Sequence, residues 1–168
     1  MARIIEDAPS RMEILRRFRH IDMVGLSAKP SRPSHFAAIY MLSEGYDVTP
    51  VNPREEEILG RRSFASLREL AEQTGRTPEI VDIFRKPAEV PAIVDEAISL
   101  GARVIWMQLG IENREAAGRA VEAGLDVVMD RCVKIEHARF FGGLHTIGLN
   151  TGVISSRPMP VSHRKFGT

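Results

Sequence analysis

The sequence predicts an α/β fold, a doubly wound and mainly parallel sheet of five or six strands with helices on both faces. Three observations carry that expectation. Short apolar runs alternate along the chain with segments of helical period, roughly ten to fifteen residues long. The runs are close to continuously apolar, as strands covered on both faces are, without the in–out alternation of a half-wet sheet. Glycine or proline punctuates most boundaries between the two kinds of segment. Right-handed crossovers between parallel strands then restrict the topology to the doubly wound type.

Each element has its own warrant. After Pro9 and Ser10, an amphipathic helix is predicted with Met12, Leu15 and Phe18 as its apolar stripe and Arg11, Arg16 and Arg17 on its wet face. "HIDMVGL" reads as the first strand and ends at Gly25. A helix over 34–44 follows, with Phe36, Ile39, Tyr40 and Leu42 at helical spacing and Gly45 as its stop. "YDVTPVNP" is the second strand, halted by Pro53, and leads into a charged connection. Ser66 and Glu69 form a capping-box pattern that opens a short helix ended by Gly75. "EIVDIF" is the third strand; a helix begins at Pro87 and stops at Gly101. "ARVIWMQLG", "ENREAAGRAVEAG" and "LDVVMD" supply the fourth strand, another helix and the fifth strand. The end of the chain loses this rhythm: residues 135–141 read as a short helix, and the remainder as a glycine-containing extension packed on the domain or on a partner. Phe140, Phe141, Leu144 and Ile147 are many apolar residues for a free tail. The expected organisation is therefore a domain over 1–138 and an extension over 139–168.

Composition narrows the function classes. The 168 residues suit one core, and 43% hydrophobic with 27% charged residues suits a globular domain. A net charge of +1 leaves no whole-protein footprint for nucleic acid. The lone Cys132 excludes an intrachain disulfide framework and a cysteine-rich metal cluster. No early apolar run resembles a signal peptide or a membrane span, so a cytoplasmic protein is expected, and the apolar tail leaves room for a homodimer.

In such a sheet the ligand lies beyond the C-terminal strand ends, near the switch in strand order. The loop "VGLSAKPSRPS" offers Gly25 for a sharp turn, Ser27 as a hydroxyl donor, Lys29 and Arg32 as phosphate partners, and a helix start near Ser34 with free N–H groups. A solvated turn is the plain alternative. At the end of the second strand, where nicotinamide dinucleotide sites place an acid on the ribose, this chain has Asn52 and Pro53, which also fit a plain proline-stiffened loop with an Asn turn. Phe84 and Arg85 end the third strand, offering an aromatic face and a phosphate partner, or merely a core side chain and an exposed charge. Gln108 and Gly110 end the fourth, with an amide and a close backbone approach; Asn113 reads as a helix cap. Catalytic candidates are weaker. Cys132 reads as an inert thiol whose pKa Arg131 would lower if the thiol were functional. Asp82 sits mid-strand without a visible acid–base partner, and the spacing of His137 and His145 specifies neither a chelate nor a triad. The balance shifts from enzyme to binding module.

Taken together, "VGLSAKPSRPS", "GYDVTPVNP", "EEILG", "IVDIFRKPAEVP", "WMQLGIENREAA" and "AGLDVVMDRCVKIEH" resemble the small CoA-binding proteins, stand-alone relatives of the CoA-binding domain in the succinyl-CoA synthetase alpha subunit. The resemblance covers about residues 18–138 and implies a Rossmann-like domain that holds coenzyme A, or a short acyl-CoA, across the strand ends. It implies that Gly25, Ser27, Lys29 and Arg32 surround the nucleotide phosphates with Ser34 at the helix start. Asn52 and Pro53 would border the adenosine half, Phe84 and Arg85 the middle, and Gln108 and Gly110 the pantetheine arm. Ligase activity is not expected to transfer, since these 168 residues leave no room for the additional synthetase domains. The leading expectation is a noncatalytic carrier, sensor or accessory protein. The alternatives are an NAD(P)-dependent oxidoreductase on the same fold and a ligand-free structural or interaction protein.

Overall fold

The computed structural model describes residues 1–142. Five parallel strands, β1 (His20–Val24), β2 (Asp47–Val51), β5 (Ile80–Ile83), β6 (Val104–Met107) and β7 (Asp126–Val128), form one sheet in the order β2-β1-β5-β6-β7. The order reverses at β1: the chain first steps outward to β2, then returns to the other side of β1 as β5. That reversal puts the loops after β1 and β5 side by side, the crevice where open α/β sheets place ligands. The doubly wound expectation holds, with five strands.

Helices α1 (Ala8–Arg17), α2 (Pro33–Ser43) and α6 (Val133–Phe141) cover one face of the sheet. Their core includes Leu15, Met41, Ile21, Met23, Ile80 and Trp106. Helices α3 (Leu67–Thr74), α4 (Val90–Ser99) and α5 (Arg114–Glu122) cover the other, around Leu70, Val94, Ala117, Val81, Ile105 and Val127. Alternate residues of each strand feed the two cores, which is why the strands read as unbroken apolar runs.

Local chemistry explains the helix ends. Ser66 Oγ accepts the Glu69 N–H at 3.0 Å, and Glu69 reaches back to Ala65 N–H rather than to Ser66 itself. Asn113 caps α5 through the Ala116 N–H at 2.9 Å, as its sequence position predicts. Pro87 opens a 3₁₀ turn, Pro87–Glu89, that runs into α4. The charged connection conceals a hairpin that the sequence reading missed: β3 (Glu57–Ile58) and β4 (Arg61–Arg62) pair antiparallel around Leu59 and Gly60, both at positive φ. Such a turn normally announces itself with Asn-Gly or Asp-Gly, and leucine at its first position hides it.

Two helix faces differ from expectation. Arg11, placed on the wet face of α1, is 4% exposed and donates to Glu136 of α6 at 2.9 Å; Glu136 is fully buried and also accepts from Arg139 at 2.9 Å. On α2, Phe36 and Ile39 point outward, while Ser34, Ala37, Ala38 and Met41 meet the sheet. Small residues let α2 lie close over β2, and in a helix with apolar residues on every side the period does not reveal which side is in. Phe140 is buried and α6 runs through Phe141, so residue 138 lies inside a helix. His145, Leu144, Ile147 and the rest of the extension lie outside the described residues. Among the described residues no helix is long and apolar enough to cross a membrane, and no cluster of His, Cys, Asp and Glu could hold a metal.

Candidate functional site

The switch point is built by backbone contacts that leave no room for side chains. Val24 accepts the Phe84 N–H at 2.8 Å, and the Gly25 N–H reaches Val51 at 2.9 Å, so the ends of β1, β2 and β5 are tied together. Gly25 has φ +90, and a methyl there would overlap the Phe84 carbonyl. Only glycine turns the chain this way at this distance.

Beyond Gly25, the loop is held by its own serines. Ser34, buried at the start of α2, accepts the Ser27 N–H on its Oγ at 3.0 Å. Ser27 Oγ accepts the Lys29 N–H at 3.1 Å, and the Ser27 carbonyl meets His35 Nδ1 at 2.8 Å. Asn52 donates its amide to the Leu26 carbonyl at 2.9 Å while its side-chain oxygen accepts the Arg54 N–H at 2.9 Å. Ser34 and Asn52 therefore shape the loop; the Asn52–Arg54 contact is the Asn turn that the sequence offered as the plain reading of Asn52, whereas the Ser34–Ser27 bond was not foreseen. His35, buried at 7% exposure, was missed; nothing in a helical "SHF" marks it as a loop anchor.

The charges stand around this frame. Lys29 and Arg32 are exposed, Arg85 half-buried, and none of the three has an ion pair or side-chain hydrogen bond among the described residues. Pro33 opens α2, so the helix presents its first-turn N–H groups and positive dipole end beside Lys29 and Arg32. On the opposite side of the crevice a cleft is lined by Val24, Val51, Pro53, Leu67, Arg85 and Ile93. Pro53 and Arg85 were expected there; Leu67 and Ile93 read as ordinary helix core and gave no signal. Phe84 is half-buried, its ring packed on the α2 side of the sheet rather than over the cleft.

At the end of β6 the picture changes from open to closed. Gln108 is 4% exposed; it donates to Asp82 Oδ1 and its Oε1 accepts the Val133 N–H at 3.3 Å, at the start of α6. Its amide supports the floor of the site. Gly110, exposed with φ +80, donates its N–H to Asp130 Oδ1 at 2.7 Å. Asp82 is fully buried, and burial pushes its carboxyl up to about 8 against the lowering effect of the Gln108 hydrogen bond. The carboxyl is thus protonated at neutral pH. Cys132 is half-buried, and burial raises its thiol pKa, which agrees with the inert-thiol reading; Arg131, whose charge offered a lowering, is not among the groups that act on it. His137 is held by the Tyr40 hydroxyl at 2.9 Å and packed against Tyr46 and Phe141, a structural setting.

Residues 19–138 match the family model described as a CoA binding domain. The chain belongs to the CoA-binding domain family. The uncharacterized protein YneT of Bacillus subtilis (strain 168) is 39% identical over 126 residues, spanning 75% of this chain and 90% of the relative. A solved structure, a hypothetical protein from Pyrococcus horikoshii OT3, is 41% identical with a TM-score of 0.77, covering 84% of this chain and 99% of its own. A Thermus thermophilus structure is 34% identical with a TM-score of 0.74, covering 81% and 100%. The matched region of the CoA-binding domain takes in every strand-end loop described above.

Proposed function

We propose that this CoA-binding domain holds coenzyme A or a short acyl-CoA across the ends of β1, β2, β5 and β6, as a noncatalytic carrier, sensor or accessory protein. The observation that carries the reading is the switch-point crevice. A glycine-only backbone junction sets the start of α2 beside three cationic side chains without protein partners, Lys29, Arg32 and Arg85. CoA carries a pyrophosphate and a 3′-phosphate, which call for several charge-assisted donors. Gly25, Ser27, Lys29, Arg32 and the α2 start framed by Ser34 serve the phosphates; Asn52, Pro53, Arg85 and the apolar cleft border the adenosine half; Phe84 stands between them. Gly110, with Gln108 beneath it, flanks the pantetheine arm. No nucleophile with a base in reach stands at these loops among the described residues, which favours binding over turnover.

A nicotinamide dinucleotide fits less well, since Asn52 rather than an acid occupies the ribose-reading position, and one of its amide N–H groups is given to Leu26. Calorimetric titration with CoA, acetyl-CoA, NAD and NADP tests the choice. CoA or acetyl-CoA is expected to bind far more tightly than either dinucleotide; NAD binding without a response to CoA would overturn the reading. Replacing Lys29 and Arg32 together with alanine should weaken CoA binding by about 3–6 kcal/mol, if each makes one or two charge-assisted phosphate bonds. Both are exposed, so the melting temperature of the free protein should hardly move.

A further inference from the structure

We propose that residues 143–168 of this chain dock on the outer side of α2 and α6, over a strip formed by Phe36, Ile39, Tyr40 and Phe141. This docking is independent of whether the crevice holds CoA. The first observation is the make-up of α2. Its eleven residues, Pro33–Ser43, include no Asp, Glu, Lys or Arg. The helices on the other face of the sheet carry charges outward: Arg68 and Glu72 on α3, Asp95 on α4, Glu115 and Arg119 on α5. A helix apolar on every side is normally covered on every side. The sheet covers the inner side of α2 through Ala37, Ala38 and Met41; the outer side carries Phe36 at 53% and Ile39 at 47% exposure.

Ring contacts extend this outer side onto α6. Tyr40 shares a side of α2 with Phe36, four positions before it. The Tyr40 hydroxyl meets His137 Nδ1 at 2.9 Å, with the two rings 5.5 Å apart, and the His137 ring lies 4.8 Å from that of Phe141, which is 41% exposed. Three of the five exposed large apolar side chains among the described residues therefore belong to one strip. At about 200 Å² for each side chain, their open part is on the order of 300 Å², whereas stable pairs of proteins bury about 800 Å² on each partner. That is too little for a second copy and enough for a few side chains of one extended segment.

The chain itself supplies that segment at the edge of the strip. Gly142 is the C-cap of α6, its N–H donating to the Ala138 carbonyl at 2.8 Å, so residue 143 follows directly from Phe141 and its cap. Residues 143–156 hold Leu144, Ile147, Leu149, Val153 and Ile154 and not one Asp, Glu, Lys or Arg, in a chain with 27% charged residues. That composition belongs to a covered segment, not to a solvated tail. Reach is sufficient. The strip spans about one turn of each helix, on the order of 20 Å, and the twelve residues 143–154 extend to about 40 Å. Tethering also favours this occupant, because a short linker holds it at an effective concentration in the millimolar range.

The full chain is prepared with the photocrosslinking residue p-benzoylphenylalanine at position 36 or, separately, at position 39. A third preparation carries it at position 72, exposed on α3 and on the other layer of the fold. Positions 36 and 39 are both exposed, so the label leaves the core intact. Ordinary and heavy-isotope-labelled chains are mixed in equal amounts before illumination, and peptide mapping by mass spectrometry locates each crosslink. Positions 36 and 39 are expected to capture residues 143–168 of their own chain at least about fivefold more than position 72 does. Replacing Leu144, Ile147 and Leu149 together with serine should reduce the capture at position 36 about fivefold, since their burial drives the docking. Crosslinks that join the two isotopes would assign the strip to a second copy and overturn the proposal. Capture no greater than at position 72, or unchanged by the serine substitutions, would overturn it equally.

Discussion

Gly25 shows how much one residue can decide. Its φ of +90 and its contact with the Phe84 backbone set the distance between the two loops that form the crevice. Gly25→Ala should cost about 1–3 kcal/mol of stability from the backbone conformation alone, and more from the overlap, read as a lower denaturant midpoint. CoA binding should fall with it. Asp82 offers a second prediction at this scale. Its folded pKa, about 8, lies above the ordinary carboxylate value of 3.8. Between those limits the unfolded chain gives up a proton that the folded chain keeps. Asp82 therefore contributes most to stability below pH 4, and that contribution is lost as pH rises to 8, by up to about 1.4 kcal/mol per pH unit. Asp82→Asn should flatten this part of the stability–pH curve in urea melts at pH 5, 6 and 7. Superimposable curves for the two proteins would show that Asp82 ionises normally.

At the scale of elements, α1 and α6 are clamped by an ion pair rather than by oil alone. Arg11 and Glu136 lie 125 positions apart and are almost wholly buried. Such a pair stabilises little relative to apolar packing, but breaking it leaves a charge without its counter-charge. Glu136→Ala should therefore destabilise by about 3–5 kcal/mol in chemical denaturation, whereas replacing Arg11, Glu136 and Arg139 together with apolar residues of similar volume should cost much less. Arginines spaced along α1 look solvent-facing from sequence because the acid that pairs one of them is on a distant helix. Phe36 and Ile39 on α2 illustrate the converse: apolar residues at helical spacing mark the helix, yet small residues take its inner face.

For the whole molecule, a ligand bound only by the folded state should raise stability through mass action. At a CoA concentration one hundred times its Kd the gain is about 2.7 kcal/mol, seen as a higher melting temperature, and it should vanish in the Lys29/Arg32 double variant. NAD at the same concentration should leave the transition in place. The order of strands and helices was legible from sequence because each strand feeds two cores and each helix feeds one, a difference written in the period of the apolar residues. The strand-end loops, and with them the CoA-binding resemblance, were legible for a related reason: sharp turns and anion sites demand particular residue types locally. What sequence could not give was the division of labour inside the site. Ser34, Asn52 and Gln108 share the polar character of ligand contacts, yet here they bond Ser27, Leu26, Asp82 and Val133. Hydrogen-bond partners lie up to 26 positions away, and only the folded chain brings them within 3 Å or so. Local chemistry, then, determined the elements and the ends where a ligand would sit; tertiary contact decided which polar groups also brace the loops, because their hydrogen-bond partners, up to 26 positions away, meet them only in the folded chain.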